Sequence, residues 1–138
     1  MARSGTVAAV AVVAAVIAPL RLTLVPEVTS LPTVRSTLRP WLAMVGAEHA
    51  DEIILAVHEA VANAVEHAGL GDGDVITIEA DVVDNTVRVR VLDSGAWRDR
   101  PVDETRGRGL MIIRAVMDHV DLERLTGGTR IEMSRRVR

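Results

Sequence analysis

A chain of 138 residues with a net charge of −3 is the size of one domain, long enough to bury roughly two-thirds of its surface around a single core. It is 49% hydrophobic yet has no Phe or Tyr and only two Trp, Trp41 and Trp97, so the core must be aliphatic and a surface that stacks nucleic-acid bases on aromatic rings is hard to build. Charges of both signs are interleaved rather than gathered in a basic stripe, which argues against direct nucleic-acid binding, and the absence of cysteine excludes disulfides, a thiol nucleophile and Cys-ligated metal, in keeping with a reducing cytoplasm.

Residues 6–20 are almost all Ala and Val, too short a run for a confident membrane span, which needs about 20 apolar residues. Pro19 follows Ala18 where a signal-peptide cleavage site would be sought. Three readings stay open: an element packed on the domain, a membrane-proximal tail, or a remnant of a longer fused protein. Residues 1–20 are therefore set apart as an N-terminal extension, and 21–138 form the domain.

Arg21-Leu22-Thr23-Leu24-Val25 alternates as a strand does and is closed by Pro26. Ser30 is placed to cap a helix that carries Pro32 in its first turn, and Leu31, Val34, Leu38, Trp41, Leu42 and Val45 form its apolar stripe. Pro40 predicts a kink or break there, and Gly46 an end. A second helix, 51–68, is apolar through Ile53, Ile54, Val57, Val61, Ala64 and Val65. Two alternating runs, 75–80 and 86–91, predict a hairpin across Asp84-Asn85. A polar segment, 96–106, leads to a third helix opening at Gly107-Arg108-Gly109, with Leu110, Ile113, Val116 and Met117 inward; residues 120–125 and 129–133 form a closing hairpin around Gly127-Gly128. The order β-α-α-β-β-α-β-β predicts an α/β (α+β) two-layer sandwich, a mixed sheet with helices on one face.

Three features carry chemistry. Glu59, Asn63 and His67 recur every fourth residue of the second helix, each step turning the direction by only about 40°, so they form one stripe beside the apolar face. Polar groups bordering a buried face are costly unless an ion, a phosphate or water satisfies them, or they reach solvent. Asp93-Ser94-Gly95 closes a strand with an acceptor and a glycine, a pattern that by itself reads as a turn. Gly107-Arg108-Gly109 runs into a helix whose first amides suit a phosphate, but no Gly-Lys-Ser/Thr follows as in a Walker loop, and the order of elements is wrong for a Rossmann fingerprint.

Taken together and in this order, with a final Gly-Gly-Thr strand, these motifs resemble the GHKL (Bergerat) ATP-binding fold of DNA gyrase, Hsp90, sensor histidine kinases and MutL. Within that group the resemblance is to the anti-sigma-factor serine/threonine kinases of the RsbW type, over residues 21–138. The resemblance implies ATP and Mg²⁺ as cofactors. It implies Asn63 as the Mg²⁺ ligand and Glu59 as the general base that activates a protein Ser or Thr hydroxyl. It implies Asp93 as acceptor for the adenine amine, with Gly95 giving the base room and Thr129 reaching the same pocket. Gly107, Gly109 and the adjoining Leu110 belong to the stretch that closes over the phosphates, with Arg106 and Arg108 as charge partners. His67 stands where a basic residue near the phosphates is often found, a solvent-facing histidine being the alternative. Residues 96–106 would be an ATP lid, anchored by Trp97. The partners implied are an anti-anti-sigma antagonist as phosphorylation substrate, a sigma factor held inactive, and a second copy in a homodimer. A non-catalytic nucleotide-dependent binding switch on the same fold is the alternative function.

Overall fold

The computed structural model describes residues 17–67, 73–94 and 108–138. Strand β1 (Leu20–Leu24), helices α1 (Leu31–Val45) and α2 (Ala50–His67), strands β2 (Ile76–Val83) and β3 (Thr86–Asp93), helix α3 (Arg108–Val116), and strands β4 (His119–Leu125) and β5 (Gly128–Arg136) follow in the predicted order. The five strands form one sheet in the order β1-β2-β3-β5-β4. All of its pairings are antiparallel, which corrects the mixed sheet expected from the sequence. Two features of the path explain this. Two helices, not one, separate β1 from β2, so the chain reverses once more than in a parallel crossover. The segment β3-α3-β4 does bring β4 back in the direction of β3, but β5 inserts between them and runs against both.

Strand alternation divides the sheet into two faces. Leu24 on β1, Ile76, Ile78 and Ala80 on β2, Val87, Val89 and Val91 on β3, and Ile131 and Met133 on β5 form the buried rows. They join Val34, Leu38, Trp41 and Leu42 of α1, Ile53, Ile54, Val57, Ala60, Val61 and Ala64 of α2, and Ile113 of α3 in one aliphatic core. The opposite face is charged: Arg88 grips Asp81 through two hydrogen bonds of 2.9 Å, and Arg90 lies 3.4 Å from Asp81 and 3.7 Å from Glu132.

Of the kink or break expected at Pro40, helix α1 shows no break, and at Ser30 it departs from expectation. It runs through Pro40 without ending. Proline inside a helix costs about 3 kcal/mol, whereas burying Leu38, Trp41 and Leu42 contributes about 1.5–3 kcal/mol each, so docking on the core outweighs the lost backbone bond. Ser30 does not cap α1: it has helical dihedrals (φ −80°, ψ −18°), and its hydroxyl donates to the Val25 carbonyl at 2.8 Å. The chain enters α1 through a 3-10 turn at Val28–Ser30. Gly46 ends the helix at φ 76°, the left-handed conformation that glycine adopts without penalty. The β2–β3 hairpin turns on Asp84 and Asn85 with φ 50° and 59°, the positive pair a two-residue type I′ turn requires.

The indole N–H of Trp41 donates to the Ala18 carbonyl at 2.9 Å, tying the described start of the chain to α1. The rest of the Ala/Val-rich run, residues 1–16, lies outside the described residues. Among the described residues no helix is long and apolar enough to cross a membrane.

The Arg88 hydrogen bonds hold the Asp81 carboxyl below its ordinary pKa against the opposing effect of partial burial, with Arg90 adding to the shift. A depressed folded-state pKa stabilises above the unfolded value near 4, and that stabilisation is lost as pH falls through the folded value. Because both partners are partly exposed, Asp81→Asn should cost only about 0.5–1 kcal/mol at pH 7. In urea unfolding the gap between variant and wild type should narrow as pH falls below the ordinary carboxylate range and the Asp81 carboxyl takes up its proton; a gap that stays constant into strong acid would show that the loss is not electrostatic.

Candidate functional site

One end of the sheet gathers the residues that the motifs singled out. Leu24, Ile76, Asp93 and Thr129 stand side by side in register across β1, β2, β3 and β5. Asp93 continues the buried row of Val87, Val89 and Val91, so an acidic residue occupies a helix-facing position and is only 8% exposed. Its cross-strand partner Thr129 is 6% exposed, and the Thr129 hydroxyl is buried with no hydrogen-bond partner among the described residues. Beyond Asp93 the chain is held by Ser94. Its hydroxyl accepts from the Val75 amide at 2.9 Å and donates to the Val75 carbonyl at 3.2 Å, where the Ser94 amide also donates.

Gly128, which the sequence reads as part of the closing turn and of the Gly-Gly-Thr strand motif but gives no role at the site, stands against the end of β3. A Cβ on it would lie 1.6 Å from the Asp93 carbonyl oxygen and 2.8 Å from its carbon, so nothing larger than glycine lets β5 come against the end of β3. The available signal was the doubled glycine: only Gly127 belongs to the turn, and Gly128 already opens the strand.

The second wall is helical. Glu59 and Asn63, one turn apart on α2, are half-buried beside the apolar face of Val57, Ala60, Val61 and Ala64. Helix α3 starts against them. A Cβ on Gly109 would stand 2.8 Å from Asn63 Nδ2 and 3.1 Å from Oδ1, so this glycine lets the first turn of α3 press on the Asn63 amide. Arg108, the first residue of α3, is exposed, and Leu110 is half-buried. The structure thus brings Asn63 to Gly109 and Asp93 to Thr129. His67 is the last residue of α2, with its side chain outside the described residues; Gly95, Trp97, Arg106 and Gly107 lie outside them altogether.

Among the described residues no group of three His, Asp or Glu could hold a metal ion. The donor set suits a hard cation held lightly: one amide oxygen at Asn63, with the remaining positions left to phosphate and water, as Mg²⁺ prefers. The backbone N–H groups at the start of an α-helix have no intrahelical acceptor, and its dipole favours negative charge. At α3 this helix start stands against the same amide.

Residues 24–135 match the model of the histidine kinase-like ATPase domain family. The chain is 31% identical over 102 residues to an anti-sigma F factor of Clostridium acetobutylicum, with 64% of this chain and 71% of the relative covered. It is 30% identical over 101 residues to an anti-sigma F factor of Caldanaerobacter subterraneus subsp. tengcongensis, with the same coverage. Its structure is similar to a crystal structure of the RsbU and RsbW domains of a Mycobacterium tuberculosis protein, with a TM-score of 0.70 and 32% identity over 86% of this chain. The chain spans 32% of that longer protein.

Two substitutions test the sheet end without reference to any ligand. Gly128→Ala should lower stability by about 3 kcal/mol, the upper range for overpacking, because backbone rather than a flexible side chain must move. Thr129→Val keeps the shape and deletes a hydroxyl whose lost hydration costs about 1–3 kcal/mol, so the unliganded variant should unfold at higher urea than wild type. A destabilised Thr129→Val would mean that the hydroxyl is already satisfied.

Proposed function

The chain belongs to the histidine kinase-like ATPase domain family, in its RsbW-type anti-sigma group, and from that premise we propose that it binds Mg-ATP at the Asp93–Asn63 end and phosphorylates a Ser or Thr of an anti-anti-sigma protein. When that antagonist is absent or phosphorylated, the same domain holds a sigma factor inactive. The observation that carries this reading is the seating of Gly109 on the Asn63 amide, since it puts a hard oxygen ligand and the start of a helix on one small surface.

In this reading Asp93 accepts the hydrogen bond of the adenine amine. The Thr129 hydroxyl, buried without a partner, finds one in the base or in a water that accompanies it. Asn63 would hold Mg²⁺ through its amide oxygen, and the ion would supply positive charge to offset that of the phosphates. The first amides of α3 and the exposed Arg108 face the phosphates, with Leu110 closing the apolar side. Glu59, one turn from Asn63, orients the attacking hydroxyl of the protein substrate and takes its proton. Little covalent chemistry falls to the protein in phosphoryl transfer, so the rate rests on positioning and electrostatics.

Asn63→Ala should remove the Mg²⁺-dependent part of nucleotide affinity, read by titrating a fluorescent ADP analogue with and without Mg²⁺; unchanged Mg²⁺ dependence would overturn the metal assignment. Glu59→Ala should bind that analogue as wild type does while transfer of radiolabelled phosphate from ATP to an antagonist domain falls at least ~100-fold. Equal loss of binding would make Glu59 a structural residue. Wild type that binds nucleotide but labels no antagonist would leave a nucleotide-dependent binding switch.

A further inference from the structure

In the central strands β2, β3 and β5, the helix-facing rows hold two charged residues among apolar and neutral ones. Asp93 is one. The other is Arg135, which continues the row of Thr129, Ile131 and Met133 at the far end of β5 and stands opposite the buried Val87. Its side chain is 16% exposed. A guanidinium in such a place is costly unless paired, and this one is paired twice. It forms an ion pair with Glu52 in the first turn of α2 and donates to the carbonyl of Val116, the last residue of α3.

Both contacts fall on helix ends, where they count most. Carbonyls in the last turn of a helix have no intrahelical donor, and a cation there is favoured by the dipole. Glu52, at the opposite pole of α2, is favoured for the mirror reason. Helices α2 and α3 run antiparallel, with Asn63 against Gly109 at one end of the pair and Glu52 and Val116 joined through Arg135 at the other. From Val116 to Gly109 is roughly 10 Å along α3 at 1.5 Å per residue. A short, stiff helix held at one end is thereby aimed at the other.

We propose that Arg135 is a positioning residue for the nucleotide site: by tying the C-terminus of α3 to the N-terminus of α2 it sets where Gly109 meets the Asn63 amide. Its effect on nucleotide rests on the function proposed above; its effect on α3 does not. Arg135→Met keeps the length and apolar stem while removing both contacts. Both contacts are made by one nitrogen, Nη1, and Arg135→Lys keeps the charge but ends one bond short of it, so it reaches Glu52 and the Val116 carbonyl less well.

The test measures backbone hydrogen exchange of the unliganded protein and titrates Mg-ADP with wild type and both variants. In Arg135→Met, α3 amides should exchange faster while those of β2 and β3 keep their rates, and the Mg-ADP Kd should rise about ten-fold, the scale of a small misplacement at a site. Arg135→Lys should fall between that variant and wild type in both readouts. Wild-type exchange in α3 of Arg135→Met would overturn the proposal, as would acceleration spread equally over β2 and β3, which marks general destabilisation. Wild type that fails to bind Mg-ADP would overturn the proposed function instead, and α3 exchange would still decide the role of Arg135.

Discussion

The close approach of α3 to α2 at Gly109 is the constraint on which the site depends. Packed helices usually keep their axes 8–10 Å apart because side chains stand between them. Here one position has no side chain, and a single added carbon would come within 2.8 Å of Asn63 Nδ2. The result is a surface made jointly by an amide side chain and a helix start. Neither is a site alone: an asparagine on a helix is an ordinary polar residue, and a lone helix N-terminus binds anions weakly and without selectivity. Their contact is set by the core, since α2 is seated through Ile53, Val57 and Val61 and α3 through Ile113.

At the sheet end the same economy of space recurs with backbone instead of helix. Gly128 lets β5 lie against the Asp93 carbonyl, which places the first side chain of β5, Thr129, beside Asp93 in register. That arrangement leaves a buried hydroxyl without a partner, at a cost of about 1–3 kcal/mol. For a domain stabilised by about 5–15 kcal/mol in all, this is a sizeable concession. A buried polar group left unsatisfied needs a physical explanation, and a ligand or ordered water that meets it is one.

What the sequence discloses is what periodicity can express. Strict alternation in residues 76–80 and 86–91 marks the faces of β2 and β3, and the four-residue spacing of Glu59 and Asn63 puts them on one side of α2. What it conceals is tertiary. Pro40 breaks helices in isolation, but Leu38, Trp41 and Leu42 hold this one on the core. Ser30 is a residue type that caps helices, yet it closes the 3-10 turn Val28–Ser30 and has helical dihedrals. The antiparallel sheet follows from β5 inserting between β3 and β4, and strand order is not written in any local pattern. Gly109 and Gly128 look like common loop glycines until the atom each would strike is known; those atoms belong to Asn63 and Asp93, remote in the chain.

The helix-facing rows of the sheet make the polarity of the molecule plain. They are apolar along their length and charged near the ends, with Asp93 at one and Arg135 at the other. The Arg135 end is closed from within: Glu52 and the Val116 carbonyl meet the guanidinium, the Glu48 amide donates to the Val137 carbonyl at 2.8 Å, and the Arg136 amide donates to Asp118 at 2.9 Å. At the Asp93 end the Thr129 hydroxyl has no hydrogen-bond partner among the described residues, beside a glycine packed hard against the Asp93 backbone. The closed end fixes the helices, and fixing them is what holds the start of α3 on the Asn63 amide at the other end.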